Sequence, residues 1–252
     1  MVGKMSAHRF FVNKITDHKA SIQGDDFEHA IKVLRLKEGN EIVIFNYEHG
    51  EHKAIIKLID LNERTMEVMA VEMIRAREKK ASKITAIVAL IKKDKMEMTL
   101  EKLTELGIDR IIPLITNRTV IKIKDEGKKE KRWEAIIYAA VKQCGRLSTP
   151  QLMTVVDGVK NINIEEGTTK FFIYEKEDKH FLIDEAVKLT PGADACFIIG
   201  PEGGFDAKEA EEIIKKGFMP VSIGDTILRA ETASIAAGTV LVQALRKSTW
   251  KN

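Results

Sequence analysis

Apolar residues fall in two rhythms along this chain. Over the first seventy-odd residues they come in short runs broken by turn residues. Arg9-Phe10-Phe11-Val12, Glu41-Ile42-Val43-Ile44-Phe45 and Lys53-Ala54-Ile55-Ile56-Lys57-Leu58-Ile59 each predict a strand, and a less regular run over 65–73 fits a half-buried one. Residues 25–34, between the first two runs, have the spacing of a single helix. Several short strands with one helix predict a small β-barrel.

Beyond residue 82 the rhythm changes to strand alternating with helix. Residues 84–91 are almost continuously apolar, the mark of a strand covered on both faces. Met96, Leu100, Leu103 and Leu106 then repeat at helical spacing, and Gly107 stands where a C-cap belongs. Residues 110–115 predict a strand whose Pro113 favours an edge or an end. Trp133, Ile136, Ile137, Ala140, Val141 and Cys144 form the apolar face of a long helix, again closed by a glycine. Further strands are predicted at 170–174 and 195–199. Asp206-Ala207-Lys208-Glu209 reads as a capping-box helix start, and a last helix runs from 231 to about 246, rich in small residues early on. This alternation implies an α/β sheet. The division predicted is a barrel domain over 1–74, a linker over 75–82 without core pattern, and an α/β domain over 83–252.

Bulk properties change this picture little. At 252 residues, 44% hydrophobic and 31% charged, the chain has ample material for its cores. No apolar run approaches the roughly 20 residues that span a bilayer, and the opening residues lack the apolar core of a signal peptide, so a cytoplasmic location is expected. Cys144 and Cys196 have no metal-like spacing and lie in apolar patterns, which predicts two buried, inert thiols. The net charge of +3 is unevenly spread. Residues 81–150 hold 15 Lys and Arg against 9 Asp and Glu, whereas 151–252 hold 12 against 16. A basic middle suits a polyanion such as RNA, although a solvated lysine-rich surface would look the same.

Candidate chemistry gathers in two loops. Ile198-Ile199-Gly200-Pro201-Glu202-Gly203-Gly204-Phe205 is an apolar strand running into a glycine-rich loop. Ile223-Gly224-Asp225-Thr226-Ile227-Leu228-Arg229-Ala230-Glu231-Thr232-Ala233 is a turn leading into a helix. Two such loops can meet at one sheet edge, where α/β proteins hold ligands. The first is neither G-x-G-x-x-G nor a P-loop, and its carboxylate would repel a pyrophosphate; it suits a neutral or cationic ligand such as S-adenosylmethionine (SAM). A tight structural turn is the competing reading. Glu231 suits a helix N-terminus, whereas Arg229 sits at the wrong end for the dipole and calls for an anion, either a substrate group or a neighbouring carboxylate. His18, His49, His52 and His180 read as surface residues and His29 as packing or surface. No Ser/His/Asp set, H-E-x-x-H motif or acidic metal cluster stands out, so no metal is expected. Methyl transfer requires mainly alignment and charge placement.

These residues resemble the small-subunit ribosomal RNA uridine-N3 methyltransferases, family E, of the SPOUT or α/β-knot superfamily. The likeness spans nearly the whole chain. It includes His8-Arg9-Phe10-Phe11, Val33-Leu34-Arg35, Thr104-Glu105-Leu106-Gly107, Pro113, Arg118, Arg132-Trp133 and residues 143–146, but above all the two loops. Lys142 and Thr119 depart from the family's usual Glu and Ser. The resemblance implies a PUA-like β-barrel that helps grip RNA, followed by a trefoil-knot SPOUT methyltransferase domain that dimerises. Pattern alone would give an ordinary doubly wound sheet, because threaded connections are rare. The resemblance implies that SAM lies against Ile199, Gly200, Pro201, Glu202, Gly203, Gly204, Ile223, Gly224, Ile227 and Leu228, with Ile173 and Tyr174 nearby. Arg229 is expected to stabilise the uridine anion, and Glu202 to act as base or to orient SAM. Arg9, Arg35, Lys92, Lys93, Arg118, Arg132 and Arg146 are expected to meet RNA phosphate. The implied substrate is one uridine of 16S rRNA in the small subunit and the implied assembly a homodimer. A SPOUT enzyme for another RNA, and a non-catalytic assembly factor, are the alternatives.

Overall fold

The structure, a computed structural model, describes residues 8–46, 49–76, 82–120, 126–190 and 192–246. Most of the expected linker lies outside the described residues. The chain divides into two compact units, the first made of residues 1–79 with 142–148, the second of 80–141 with 149–252.

In the first unit the elements are β1 (Arg9–Phe11), β2 (Lys19–Gln23), α1 (Gly24–Glu28, continued by a π-helical turn over His29–Val33), β3 (Glu41–Asn46), β4 (Gly50–Asp60) and β5 (Thr65–Arg75). They pair in the order β1-β3-β4-β5-β2, with β1 parallel to β3 and the rest antiparallel. This five-stranded sheet packed on one core is the small β-rich unit that the sequence predicts. Alternation explains its core. Ile42 and Ile44, Ala54 and Ile56, and Met66 and Val68 point inward from β3, β4 and β5 and bury Phe10, Ile22 and Phe27 with them. β4 pairs with β5 through three register shifts, which bend the ribbon.

The second unit contains β6 (Ile84–Ala89), α2 (Lys93–Leu106), β7 (Arg110–Ile115), α3 (Glu126–Cys144, whose last residues fall in the first unit), β8 (Gln151–Leu152), β9 (Val156–Asp157), β10 (Thr169–Ile173), α4 (Leu182–Ala186), β11 (Ala195–Ile199), α5 (Ala207–Lys215), β12 (Met219–Val221) and α6 (Ala230–Arg246). All strands of this sheet run parallel, in the order β12-β10-β11-β6-β7-β8, with β9 also on β7. β6 and β11 are buried along their whole length because alternate residues serve two cores. Ala86, Val88, Phe197 and Ile199 join one with α2 and α6; Ile87, Cys196 and Ile198 join the other with Phe205, Ala210 and Ile213.

Pro113 sits inside the sheet, in register with Val88, not at an edge. The reason lies in the neighbouring strand. The carbonyls of Ile111 and Ile115 accept on the side of β8 and β9, from Met153 and Gly158, so the missing N–H of Pro113 faces that side too. There β8 covers only Arg110 and Ile111, and β9 only Leu114 and Ile115. Proline occupies the gap. Cys144 is exposed, contrary to expectation: it keeps the spacing of the Trp133 and Ile137 stripe, but it is the last residue of α3, beyond the buried Val141; Cys196 is buried and its thiol is pushed well up by desolvation.

After β11 the chain forms α5, adds β12 outside β10, and returns so that α6 packs on α2, β6 and β11. The return segment is clipped to the loop after β10, with Ser222 N donating to the His180 carbonyl at 2.7 Å and Leu182 N to the Ser222 carbonyl at 2.8 Å. This doubling back is what the knot resemblance implied and what an ordinary doubly wound sheet lacks. Small residues permit it: Ala230, Ala233, Ser234, Ala237 and Gly238 of α6 are buried. A Cβ at Gly238 would stand 3.2 Å from Leu103 Cδ2 and 3.5 Å from Leu106 Cδ1, both on α2. Gly238→Val is therefore expected to overpack this contact and to destabilise the protein by about 1–3 kcal/mol, read as a lowered urea midpoint at unchanged m-value.

Candidate functional site

The two signature loops and the loop after β10 meet at the C-terminal end of the sheet. Each is held by its own short-range chemistry. In the first loop Gly204 N donates to the Pro201 carbonyl at 2.8 Å, closing a turn over residues 201–204. Phe205 folds back beneath it, so near that a Cβ on Gly200 would meet the ring at 3.0 Å. The Phe205 ring stands edge-on to Phe172, which in turn stacks on Tyr174 at 4.5 Å. Gly204 has φ of +66°, and Glu175 Oε1 lies 2.9 Å from where its Cβ would be. The loop ends in the capping box expected from sequence. Asp206 Oδ1 accepts from Glu209 N at 2.8 Å, and Glu209 Oε2 accepts from Asp206 N at 3.1 Å. The bond from Glu209 N, with one from Asn117, holds the Asp206 carboxyl below its usual range. This cap is thus intact above the ordinary carboxylate pKa and is lost as pH falls through the lowered value.

In the second loop Ser222 Oγ donates to the Gly224 carbonyl at 2.9 Å, and the Arg229 carbonyl accepts from Ala233 N at 2.8 Å, opening α6. Glu231, in the first turn, is buried and pairs with Lys95 Nζ at 3.2 Å. The dipole reading of Glu231 is thus joined by a salt bridge to α2. Arg229 is exposed, and no hydrogen bond or ion pair joins its guanidinium to the described residues. The structural salt bridge that competed for it is absent among them.

These loops enclose a cavity of about 730 Å³, within the roughly 300–1,000 Å³ of small-molecule sites. Ile173, Tyr174, Ile199, Gly200, Pro201, Glu202, Gly203, Gly204, Ile223, Gly224, Ile227 and Leu228 all line it, together with Arg229. Sequence reasoning missed Glu175, Glu177, Asp178 and Phe181 from the loop after β10, and Ser222; Asp225, Thr226, Ala230 and Ala233 of the second loop line the cavity as well. The run Glu175-Lys176-Glu177-Asp178-Lys179 reads as a solvated turn, and only the doubling back of the chain brings it to the cavity. Glu177 mainly caps that turn, accepting from Lys179 N and His180 N, and these bonds lower its pKa. Among the described residues that line the cavity, Glu175, Glu177, Asp178, Glu202 and Asp225 stand against one cation, Arg229. Such a wall favours a cation and disfavours a polyphosphate. Among the described residues no group of His, Cys, Asp and Glu is arranged to hold a metal ion.

An RNA methyltransferase domain family matches residues 77–242, and an RNA methyltransferase PUA domain matches residues 22–63. The chain is 31% identical to the ribosomal RNA small subunit methyltransferase E of Rickettsia conorii, over 92% of this chain and 94% of that protein. The chain belongs to this methyltransferase E family. To the Bacillus subtilis methyltransferase E it is 28% identical, over 86% of this chain and 87% of that one. A Legionella pneumophila methyltransferase solved with bound SAM superimposes with a TM-score of 0.83 at 30% identity, covering 95% of this chain and 98% of that one. The N-terminal unit is accordingly the PUA-like domain, and the second unit carries the SPOUT fold.

The basic residues expected at RNA are dispersed. Lys92 and Lys93 are exposed at the start of α2, where Lys92 N donates to Glu202 Oε1 at 3.4 Å. Arg132 is exposed on α3 and paired with Glu97. Arg118 is exposed and bonded to the Gly203 carbonyl. In the first unit Arg35 is exposed with φ of +53°. Arg9 is largely internal: it pairs with Glu51 at 2.6 Å, donates to the carbonyls of Lys142 and Arg146, and lies 3.5 Å over the Phe45 ring. Arg146 donates to Ser148 Oγ at 3.3 Å. Lys142, the departure from the family's Glu, pairs with Asp26 at 2.7 Å.

The two adjacent loop glycines are expected to respond unequally to alanine. Gly204→Ala places a Cβ at a left-handed residue and against Glu175, and should cost more than about 1 kcal/mol. Gly203→Ala meets only Arg118 carbons at 3.6 Å, an ordinary contact, and should change stability by less than about 1 kcal/mol. Urea unfolding of the two variants checks both.

Proposed function

We propose that this protein is a SAM-dependent methyltransferase that methylates N3 of one uridine in 16S rRNA of the small ribosomal subunit, acting in the cytoplasm as a homodimer. The observation that carries the reading is the cavity lined by both signature loops, with an arginine among its lining residues that has no partner among the described residues. Its chemistry fits SAM. Ile173, Ile199, Ile223 and Leu228 offer apolar wall, the glycines bring backbone amides and carbonyls within reach, and the carboxylates suit a sulfonium and an amino group. When bound, SAM supplies an electrophilic methyl carbon.

The chain's own residues must deal with a proton and a charge. Uridine N3 carries a weakly acidic hydrogen and becomes nucleophilic only on losing it; the resulting negative charge spreads onto the ring oxygens. We assign that charge to Arg229, which stands at the start of α6, where buried Glu231 pairs with Lys95, and whose guanidinium has no partner among the described residues. We assign the N3 proton to Glu202, the exposed carboxylate of the glycine loop. Arg35, Lys92, Lys93, Arg132 and Arg146 are proposed RNA-phosphate contacts, whereas Arg9 serves the packing of the PUA-like domain. Exposed Phe181 and Ile227, which line the cavity, and exposed Ile183 and Val187 on and just after α4 support a covered face in a dimer.

Labelled methyl from SAM, offered to small subunits lacking the modification and to naked 16S rRNA, is expected to appear as N3-methyluridine at one site. Label in another nucleoside or RNA would favour a different SPOUT specificity, and no transfer despite SAM binding would favour an assembly factor. Arg229→Ala is expected to lower turnover about 10²–10³-fold with SAM affinity changed less than about threefold; unaltered turnover would remove Arg229 from the mechanism.

A further inference from the structure

Residues 116–119, after β7, belong to neither signature loop, yet they are bonded to the first of them and to the helix behind it. The segment is a closed turn, with Thr119 N donating to the Thr116 carbonyl at 3.0 Å and Thr116 N to Thr119 Oγ1 at 2.9 Å. Asn117 secures the start of α5. Its Nδ2 donates to Asp206 Oδ2 at 2.7 Å, and its backbone N–H donates at 2.8 Å to Oε1 of the buried Glu209. From this anchored turn Arg118 reaches the loop itself. Arg118 Nη1 donates to the Gly203 carbonyl at 2.7 Å, and its Cβ and Cδ cover the bare face of Gly203.

The Gly203 carbonyl and the Gly204 N–H belong to one peptide plane. Arg118 holds the oxygen, and the Pro201 carbonyl holds the hydrogen. A Gly-Gly peptide is the kind of unit that would otherwise rotate with little steric resistance. Here it is pinned at both ends, with Glu175 against the Cα of Gly204. That plane forms part of the cavity wall.

We infer that Arg118 is a positioning residue of the cofactor loop, clamping the Gly203–Gly204 peptide in the orientation that receives SAM. The inference rests on the reading of the cavity as the SAM site. It departs from the assignment of Arg118 to RNA phosphate, which its exposure and charge alone would suggest. Loss of a charge-assisted hydrogen bond that pre-organises a site shows as weaker ligand affinity.

The test measures SAM binding by calorimetry without RNA, together with binding to naked 16S rRNA over a salt series. Arg118→Ala is expected to weaken SAM binding about five- to twentyfold, and to raise the KM for SAM while kcat at saturating SAM stays within about twofold. The slope of log K for RNA against log salt should be unchanged. Arg118→Lys keeps the charge but not the guanidinium reach, and should bind RNA normally while losing SAM affinity in part. Asn117→Ala, which leaves the clamp in place, should lower stability but keep SAM affinity within about twofold. Unaltered SAM affinity in Arg118→Ala, with a salt slope shallower by about 0.7–0.9, would overturn the inference in favour of a phosphate contact. Equal loss of SAM affinity in Asn117→Ala would overturn it in favour of general loosening. Failure of the unmodified protein to bind SAM would instead overturn the cofactor reading, and the inference with it.

Discussion

A parallel sheet apolar on both faces must be covered on both faces. In β6, β10 and β11 neighbouring residues belong to different cores: Phe171 with Ile84 and Phe197, Phe172 with Ile87 and Ile198. Neither core survives without helices on its own side, so α5 lies on one face and α2 and α6 on the other. For α6 to reach its side the chain must leave β12 at the sheet's edge and come back past β10. The loops that make this journey are left at the carboxyl ends of the strands, where no helix fills the space. The cavity is thus a by-product of covering the sheet.

Charge is distributed by the same logic. Glu209 and Glu231 are buried acids with defined partners, Asn117 and Asp206 for one and Lys95 for the other, and each sits in the first turn of a helix that supports a signature loop. Arg246 closes the far end of α6 by donating to the Gly107 carbonyl at 2.7 Å and pairing with Asp109. Arg9 has a comparable internal task in the PUA-like domain. Against these committed side chains the exposed Arg229 stands out, because nothing in the packing of α6 calls for it.

Much of this was legible from residue order. Period-2 and continuous apolar runs located the strands, the capping box at Asp206 and the glycine at 107 marked helix ends, and the two loops identified one cavity wall almost completely. What escaped was long-range. The loop after β10 looks like any polar turn until the return of the chain places it beside Gly204. Pro113 looks like an edge signal until the gap between β8 and β9 is known. Cys144 fits an apolar stripe by spacing, yet the stripe ends a turn earlier. Arg118 reads as a basic surface residue, and only the coordinates reveal its bond to Gly203. Such cases share a cause: the deciding partner is distant in sequence, and local pattern carries no information about it.

The return of α6 also orders events in time. Ala230 and Ala233 line the cavity, and the same helix fills the core between α2 and the sheet. A nascent chain that has released β6 through β12 but not α6 holds most of the cavity-lining residues without the helix that fills the core beside them. Cavity wall and core packing are thus completed by one and the same element, the last to be synthesised among the described residues.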